Sequence, residues 1–387
     1  MSSVYEYIIT FSLAFIVSFS ATPIVRKLAF KVGSVDIPKD NRRMHKKPIA
    51  LMGGLAIICG FVVSLVFDLL TTSSLLTPGR EIAGLMTGIA VIMLMGVLDD
   101  IKTLRAWVKL AFQVVAAVCV VAISGTRISG LTNPFGADQY LELSPYISIP
   151  LSILWIVGIT NAINLIDGLD GLAAGVSSIS SLSLFFVSLL RGDLLDPSKA
   201  IYTALVTAAL SGATLGFLPF NFNPAKIFMG ETGAAFLGFT LGVISIQGVM
   251  KSYAAISIVI PLLILGLPLF DTLLAIIRRI LTRKSIMQAD RGHLHHKLID
   301  MGLSQRQSVL IMYVVSASLG LCAIVLADRG ALSAVIMLAA VSVFIAGGTK
   351  YMNDSRPPDN SETDGDPMVN QTLPENEIEK PSDGVTK

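Results

Sequence analysis

The feature that most constrains this chain is a series of apolar runs, each about as long as a bilayer is thick. A helix needs about 20 mostly apolar residues to cross the hydrocarbon core. The sequence supplies eleven such runs, near 4–24, 49–70, 82–98, 107–125, 148–165, 172–190, 200–219, 233–249, 254–280, 308–327 and 331–348. Runs of this length favour helices over barrel strands, which read as short alternating segments. Only 14% of the residues are charged, against roughly 25% in soluble domains. The expected fold is therefore all-α, a polytopic integral membrane protein.

The first run, Val4–Ile24, differs from a secretory leader. It lacks a basic start, Glu6 is the only charge before Arg26, and no A-x-A cleavage site follows. It reads as an uncleaved spanning helix. Cys59, Cys119 and Cys322 all lie in apolar runs without a CxxC spacing, which suggests neither a disulfide framework nor a zinc cluster.

Most of the 29 Lys and Arg residues fall in alternate loops, above all in 25–48 and in 278–306. By the positive-inside rule those loops are cytoplasmic and the N-terminus is outside. After Tyr351 the composition turns to Asn, Asp, Ser, Pro, Glu and Thr. The expected organisation is a membrane catalytic domain over 1–350 and a disordered, cytoplasmic polar tail over 351–387. No internal repeat is visible, which weakens a transporter built from inverted halves.

Every unusual polar cluster falls on the cytoplasmic side of this topology. Asn161–Leu172 reads N-A-I-N-L-I-D-G-L-D-G-L, two carboxamides and two carboxylates spaced three apart at a helix end. Charges there cost a few kcal/mol each unless they meet water, a metal or partners. A simple helix cap is the alternative. Asp99-Asp100 closes the third run; adjacent carboxylates suit a divalent cation or raised proton affinity on one of them, with solvated loop charge as the alternative.

His45-Lys46-Lys47-Pro48 before Gly53-Gly54 suits a phosphate, or a basic anchor with a helix-packing glycine pair. Phe220–Gly233 contains Asn221 and Asn223 beside aromatic residues, a pattern suited to a base, and then Glu231, a candidate metal ligand. Asp290–Lys297 gathers Arg291, His293, His295 and His296, which fits a cationic anion site better than zinc, since no HExxH or Cys partner is present. Asp271 lies inside the ninth run, either as a functional acid or paired with Arg278.

In order along the chain, H-K-K-P-I-A-L-M-G-G, L-D-D, N-A-I-N-L-I-D-G-L-D-G-L-A-A-G, F-N-F-N-P-A-K-I-F-M-G-E-T-G and P-L-F-D with D-R-G-H-L-H-H-K-L cover about residues 20–325. Together they resemble the polyprenyl-phosphate N-acetylhexosamine-1-phosphate transferases of bacterial envelope synthesis. The resemblance implies transfer of a sugar 1-phosphate from a UDP-sugar to a lipid phosphate with Mg²⁺, releasing UMP, at the inner (plasma) membrane. It implies catalytic roles for Asp99, Asp100, Asp167, Asp170 and His293, with Asp99 or Asp100 as candidate base. His45, Asn161, Asn221, Asn223, Asp271, Arg291, His295 and His296 would bind substrate. Asn164, Glu231, Asp99 and Asp100 would hold the metal.

Glu231 stands where the family usually has Asp, which opens Mn²⁺ beside Mg²⁺. The H-L-H-H-K-L loop is similar to the UDP-N-acetylglucosamine branch, with UDP-GlcNAc and undecaprenyl phosphate as partners; the UDP-N-acetylmuramoyl-pentapeptide branch, which usually carries three consecutive histidines, is the alternative within the family. A homodimer is compatible with this reading, and nucleic acid is not an expected partner. Two other classes remain. A CDP-alcohol phosphotransferase shares D-x-x-D-G-x-x-A at Asp167–Ala174, but Gly175 replaces the required Arg. A secondary transporter would place its acids near the bilayer midplane.

Overall fold

A computed structural model of the chain describes residues 2–38, 47–71, 79–132, 140–190, 197–248, 258–282, 292–330 and 332–342. His45, Arg291 and the expected tail over 351–387 lie outside the described residues.

The apolar runs form helices. Eight are long and apolar enough to span a bilayer: α1 (Ser2–Val32), α2 (Gly54–Thr71), α3 (Arg80–Lys102), α4 (Ala106–Ser124), α5 (Pro145–Ile166), α6 (Leu172–Leu190), α7 (Pro197–Asn221) and α12 (Gln305–Arg329). Their outward faces carry large apolar side chains such as Ile16, Val66, Leu94, Leu154 and Leu310, as a lipid-facing surface requires.

The helix α8 (Gly230–Gly248) differs from these. Every residue from Thr232 to Gly248 is buried, and α8 packs against α2, α3, α5, α6 and α7. A helix buried all round answers to its protein neighbours, not to lipid, so Thr240, Ser245 and Gln247 are tolerated within it. Its packing is close: Gly54 of α2 lies so near Gly233 that a Cβ on either would overlap the other's backbone. The Gly53 and Gly54 amides donate to the carbonyls of Phe228 and Met229 at 3.0 and 2.8 Å. The glycine pair thus serves helix packing.

Three expectations about the spans change. The run 233–249 is the buried α8 and is not among the eight. The run 254–280 is broken at Leu265 into α9 (Val259–Ile264) and α10 (Gly266–Leu281); Pro261, Gly266 and Pro268 favour such a break. Over 331–348, the described part is an 11-residue apolar helix, Leu332–Ser342, too short by itself to cross. Among the described residues the count of long spans is therefore eight. Small antiparallel pairs also occur where none was expected: β1 (Val35–Asp36) with β2 (Ile49–Ala50), and β3 (Gly130–Thr132) with β4 (Tyr140–Glu142). A bridge from Ala50 to Ile227 ties the first pair to the segment before α8.

Candidate active site at the helix ends

The ends of α5, α7, α8 and α12 meet around a cavity of about 530 Å³. The α5–α6 turn builds one wall. α5 stops at Ile166, Asp167 caps it with its amide donating to the Asn164 carbonyl at 3.2 Å, and Gly171 at φ +81° lets the chain enter α6. Leu169, only 4% exposed, anchors the turn in the core. Asn164, Asp167 and Asp170 consequently line the cavity.

These two carboxylates differ in what they hold. Asp170 Oδ2 accepts from Asn223 Nδ2 and from the Ala225 amide, each at 3.0 Å, so it clamps the loop after α7. Burial, followed by the nearby charges of Glu231, Asp100 and Asp170, pushes the Asp167 carboxyl up to about 7.

Asp100 also has a structural task. Its carboxylate accepts from the Glu231 amide at 2.8 Å, the Thr232 amide at 3.2 Å and the Thr232 hydroxyl at 2.6 Å. This is a side-chain cap on the start of α8, where unsatisfied amides attract an anion. Gly230 is required beside it: φ is +69° and a Cβ would lie 2.6 Å from both carboxylate oxygens. Asp99 accepts from the Leu104 amide at 2.6 Å and pairs with Lys109 at 3.6 Å. Lys109 reaches Glu231 as well, at 3.2 Å. Glu231 lines the cavity, whereas Asp99 and Asp100 stand behind it.

The histidine segment forms α11 (Leu294–Asp300). Asp271 pairs with His293 Nδ1 at 2.8 Å and accepts from the Leu294 amide at 2.8 Å, so its partner is His293 and not Arg278. Arg278 instead packs on Gly292. His295 is 2% exposed and lies against Gly168, where a Cβ would overlap its ring. Burial, with His296 and His293 close by and Asp271 opposing, pushes His295 down to about 4. It is therefore neutral near pH 7, a correction to the expected cationic cluster. Only His296 of the three lines the cavity.

Asn221 and Asn223 line the cavity, and Asn221 Nδ2 also donates to the Ile227 carbonyl at 3.0 Å. Asn161 stands one turn back in α5 and donates to Gln113 at 2.6 Å and to the Val157 carbonyl at 2.8 Å, away from the lining. Three polar site residues escaped the sequence reading: Asp36, which lines the cavity, Lys109 and Gln305. Lys109 had a usable signal, a lone cation one turn into an apolar run just after Asp99-Asp100. Gln305, which accepts from Asn223 at 2.7 Å, had none.

The donor set fits a hard divalent cation. The charge of Glu231 raises the demand of Asp167 for a cation, and Asn164 adds a carboxamide to the same wall. Among the described residues no three His, Cys, Asp or Glu side chains form a closed metal cluster. Mg²⁺ is typically held by one or two carboxylates, waters and substrate phosphates, so an open set is compatible with it.

Known proteins resemble this chain over most of its length. A protein of Bacillus subtilis (strain 168) named "Probable undecaprenyl-phosphate N-acetylglucosaminyl 1-phosphate transferase" is 43% identical over 344 residues, 88% of this chain and 90% of the relative. The profile of glycosyl transferase family 4 matches residues 82–249. The chain belongs to glycosyl transferase family 4. The decaprenyl-phosphate N-acetylglucosaminephosphotransferase of Mycolicibacterium smegmatis is 36% identical over 78% of this chain and 77% of its own. A phospho-N-acetylmuramoyl-pentapeptide-transferase of Streptococcus thermophilus is 32% identical, over 56% of this chain and 64% of its own. The family 4 profile runs from α3 to α8 and so takes in Asp99, the α5–α6 turn and Glu231, while α10, α11 and α12 lie beyond it.

Proposed function

We propose that this family 4 protein transfers N-acetylglucosamine 1-phosphate from UDP-GlcNAc to undecaprenyl phosphate, on the cytoplasmic face of the plasma membrane. The observation that carries the reading is the cavity at the helix ends, where Asp167 faces the like charges of Glu231, Asp100 and Asp170 at the membrane boundary. A soluble nucleotide sugar and a lipid phosphate can both reach such a place. The relatives' names support the same transferred group and acceptor class, and the distribution of Lys and Arg supports an N-terminus-outside topology for this chain.

In the proposed reaction an oxygen of the lipid phosphate attacks the sugar-linked phosphorus of the donor. The new P–O bond makes a lipid pyrophosphate sugar, and the bond to UMP breaks. Such a displacement depends on positioning and on charge neutralisation more than on covalent help. Mg²⁺, when bound, would neutralise the donor pyrophosphate and the leaving UMP. Asp167 and Glu231, with Asn164, are the residues that would hold it. Asp167, its carboxyl pushed up to about 7, is about half-protonated near neutrality and would release that proton to a bound cation. Asp100 and Lys109 hold Glu231 at the cavity rim, one through the α8 amides and the other through charge. Asn221 and Asn223 offer hydrogen bonds suited to the nucleotide, and His296 offers one to the sugar or phosphate.

Purified protein in bilayer discs with undecaprenyl phosphate and Mg²⁺, given UDP-GlcNAc and UDP-MurNAc-pentapeptide separately, tests the reading. UMP release and a labelled lipid product are expected with the first donor. Equal or better turnover of the second would move the chain to the muramoyl-pentapeptide reaction, and no product from either would refute the transferase reading.

A further inference from the structure

Although α12 lies beyond the family 4 profile, it makes three hydrogen bonds to the two loops that line the cavity. Gln305 Oε1 accepts from Asn223 Nδ2 at 2.7 Å, and Arg306 Nε donates to the Asn223 carbonyl at 3.0 Å. Further along, the Tyr313 hydroxyl donates to the Gly171 carbonyl at 2.5 Å.

Gly171 is the last residue of the turn that carries Asp167 and Asp170. Its carbonyl also accepts the Gly175 amide at 2.9 Å, in the first turn of α6. A carbonyl has two lone pairs, so it can serve both donors. The Tyr313 ring lies against the start of α6 in space that only glycine leaves, because a Cβ on Gly175 would overlap the ring carbons and the hydroxyl. Packing alone would need the ring and not its oxygen. The hydroxyl instead closes the one end of the turn that neither the Asp167 amide nor the buried Leu169 side chain secures.

We propose that Tyr313 is a positioning residue for the transfer reaction: through the Gly171 carbonyl it sets the depth of the Asp167–Gly171 turn, and so the aim of Asp167 into the cavity. This rests on the transferase reading of the cavity. An ångström of drift in a group that positions the reaction costs about a hundredfold in rate, and the loss of one tether is expected to cost less.

The test is Tyr313→Phe, in the full chain in bilayer discs, with Gly175→Ala as a second variant that displaces the ring from the other side. Turnover, KM for the UDP-sugar, thermal midpoint and hydrogen exchange of the 164–175 segment are measured together. For Tyr313→Phe, kcat is expected to fall about tenfold with KM for the donor nearly unchanged. Exchange should quicken at 167–172 alone, and the thermal midpoint should stay within a few degrees. Gly175→Ala should quicken exchange over the same residues. Unchanged kcat and unchanged exchange in Tyr313→Phe would overturn the proposal. A lowered midpoint with faster exchange throughout α6 and α12 would also overturn it, by showing a packing role only. If the wild type transfers nothing, the transferase reading fails, while the local exchange difference still decides whether Tyr313 holds the turn.

Discussion

The two carboxylate pairs of this site look alike in sequence and are unlike in structure. In Asp99-Asp100 both groups are compensated. Asp100 caps α8 with three hydrogen bonds, and Asp99 holds the Leu104 amide and Lys109. In the α5–α6 turn Asp170 clamps the 223–225 segment. Asp167 is left facing three like charges, with its carboxyl pushed up to about 7 by burial first and by those charges after it. One carboxylate in four is thus poised to need a cation or a phosphate-bound metal, and the other three keep it so placed.

Four changes would break or sharpen this contrast. The largest expected effect is from Asp167→Asn, a loss of about a thousandfold in turnover. The variant should fold at least as well as the wild type, because a desolvated charge surrounded by like charges has been removed; a thermal melt beside the transfer assay checks both halves. Next is Asp100→Asn, which keeps one accepting oxygen and loses the charge that attracts the α8 amides. It should cost about 2 kcal/mol of stability and lower turnover by about a hundredfold by shifting Glu231. The two variants therefore separate: activity without stability for Asp167, both for Asp100.

The third concerns pH. The metal-ready, charged form of Asp167 is present above about 7 and is lost as pH falls through that value. Half-saturation by Mg²⁺ should rise by up to about tenfold per pH unit below 7, read by titrating Mg²⁺ at each pH. Stability of the metal-free protein has the opposite sign. The folded carboxyl holds a proton that the unfolded one releases near 3.9, so its contribution is full below that value and is lost as pH rises through about 7. The smallest effect is from Lys109→Gln. This partly exposed cation bridges Asp99 and Glu231, and its loss should cost about 1 kcal/mol and a few-fold in turnover, checked by the same assay and melt.

Much of this architecture was legible in the residues. Apolar runs of spanning length announce the helices, and N-A-I-N-L-I-D-G-L-D-G-L announces the turn. What could not be read was how the carboxylates divide their tasks. That division depends on which helix N-terminus lies beside Asp100 and which loop beside Asp170, and both partners are more than 50 residues away in sequence. The break at Leu265 was hidden by a run that stays apolar across it, although Pro261, Gly266 and Pro268 marked the place. Histidine spacing suggested one cationic cluster. Burial instead assigns His293 to Asp271, makes His295 neutral against Gly168, and leaves His296 for the cavity.

The most direct test is to compare wild type with Asp167→Asn in bilayer discs containing undecaprenyl phosphate and Mg²⁺, following UMP and lipid-linked sugar phosphate from labelled UDP-GlcNAc. The expected result is equal amounts of both products from the wild type and neither from a variant that melts at or above the wild-type temperature. Turnover by Asp167→Asn within a few-fold of the wild type, or no product from the wild type under conditions where a family 4 enzyme of known activity works, would contradict it.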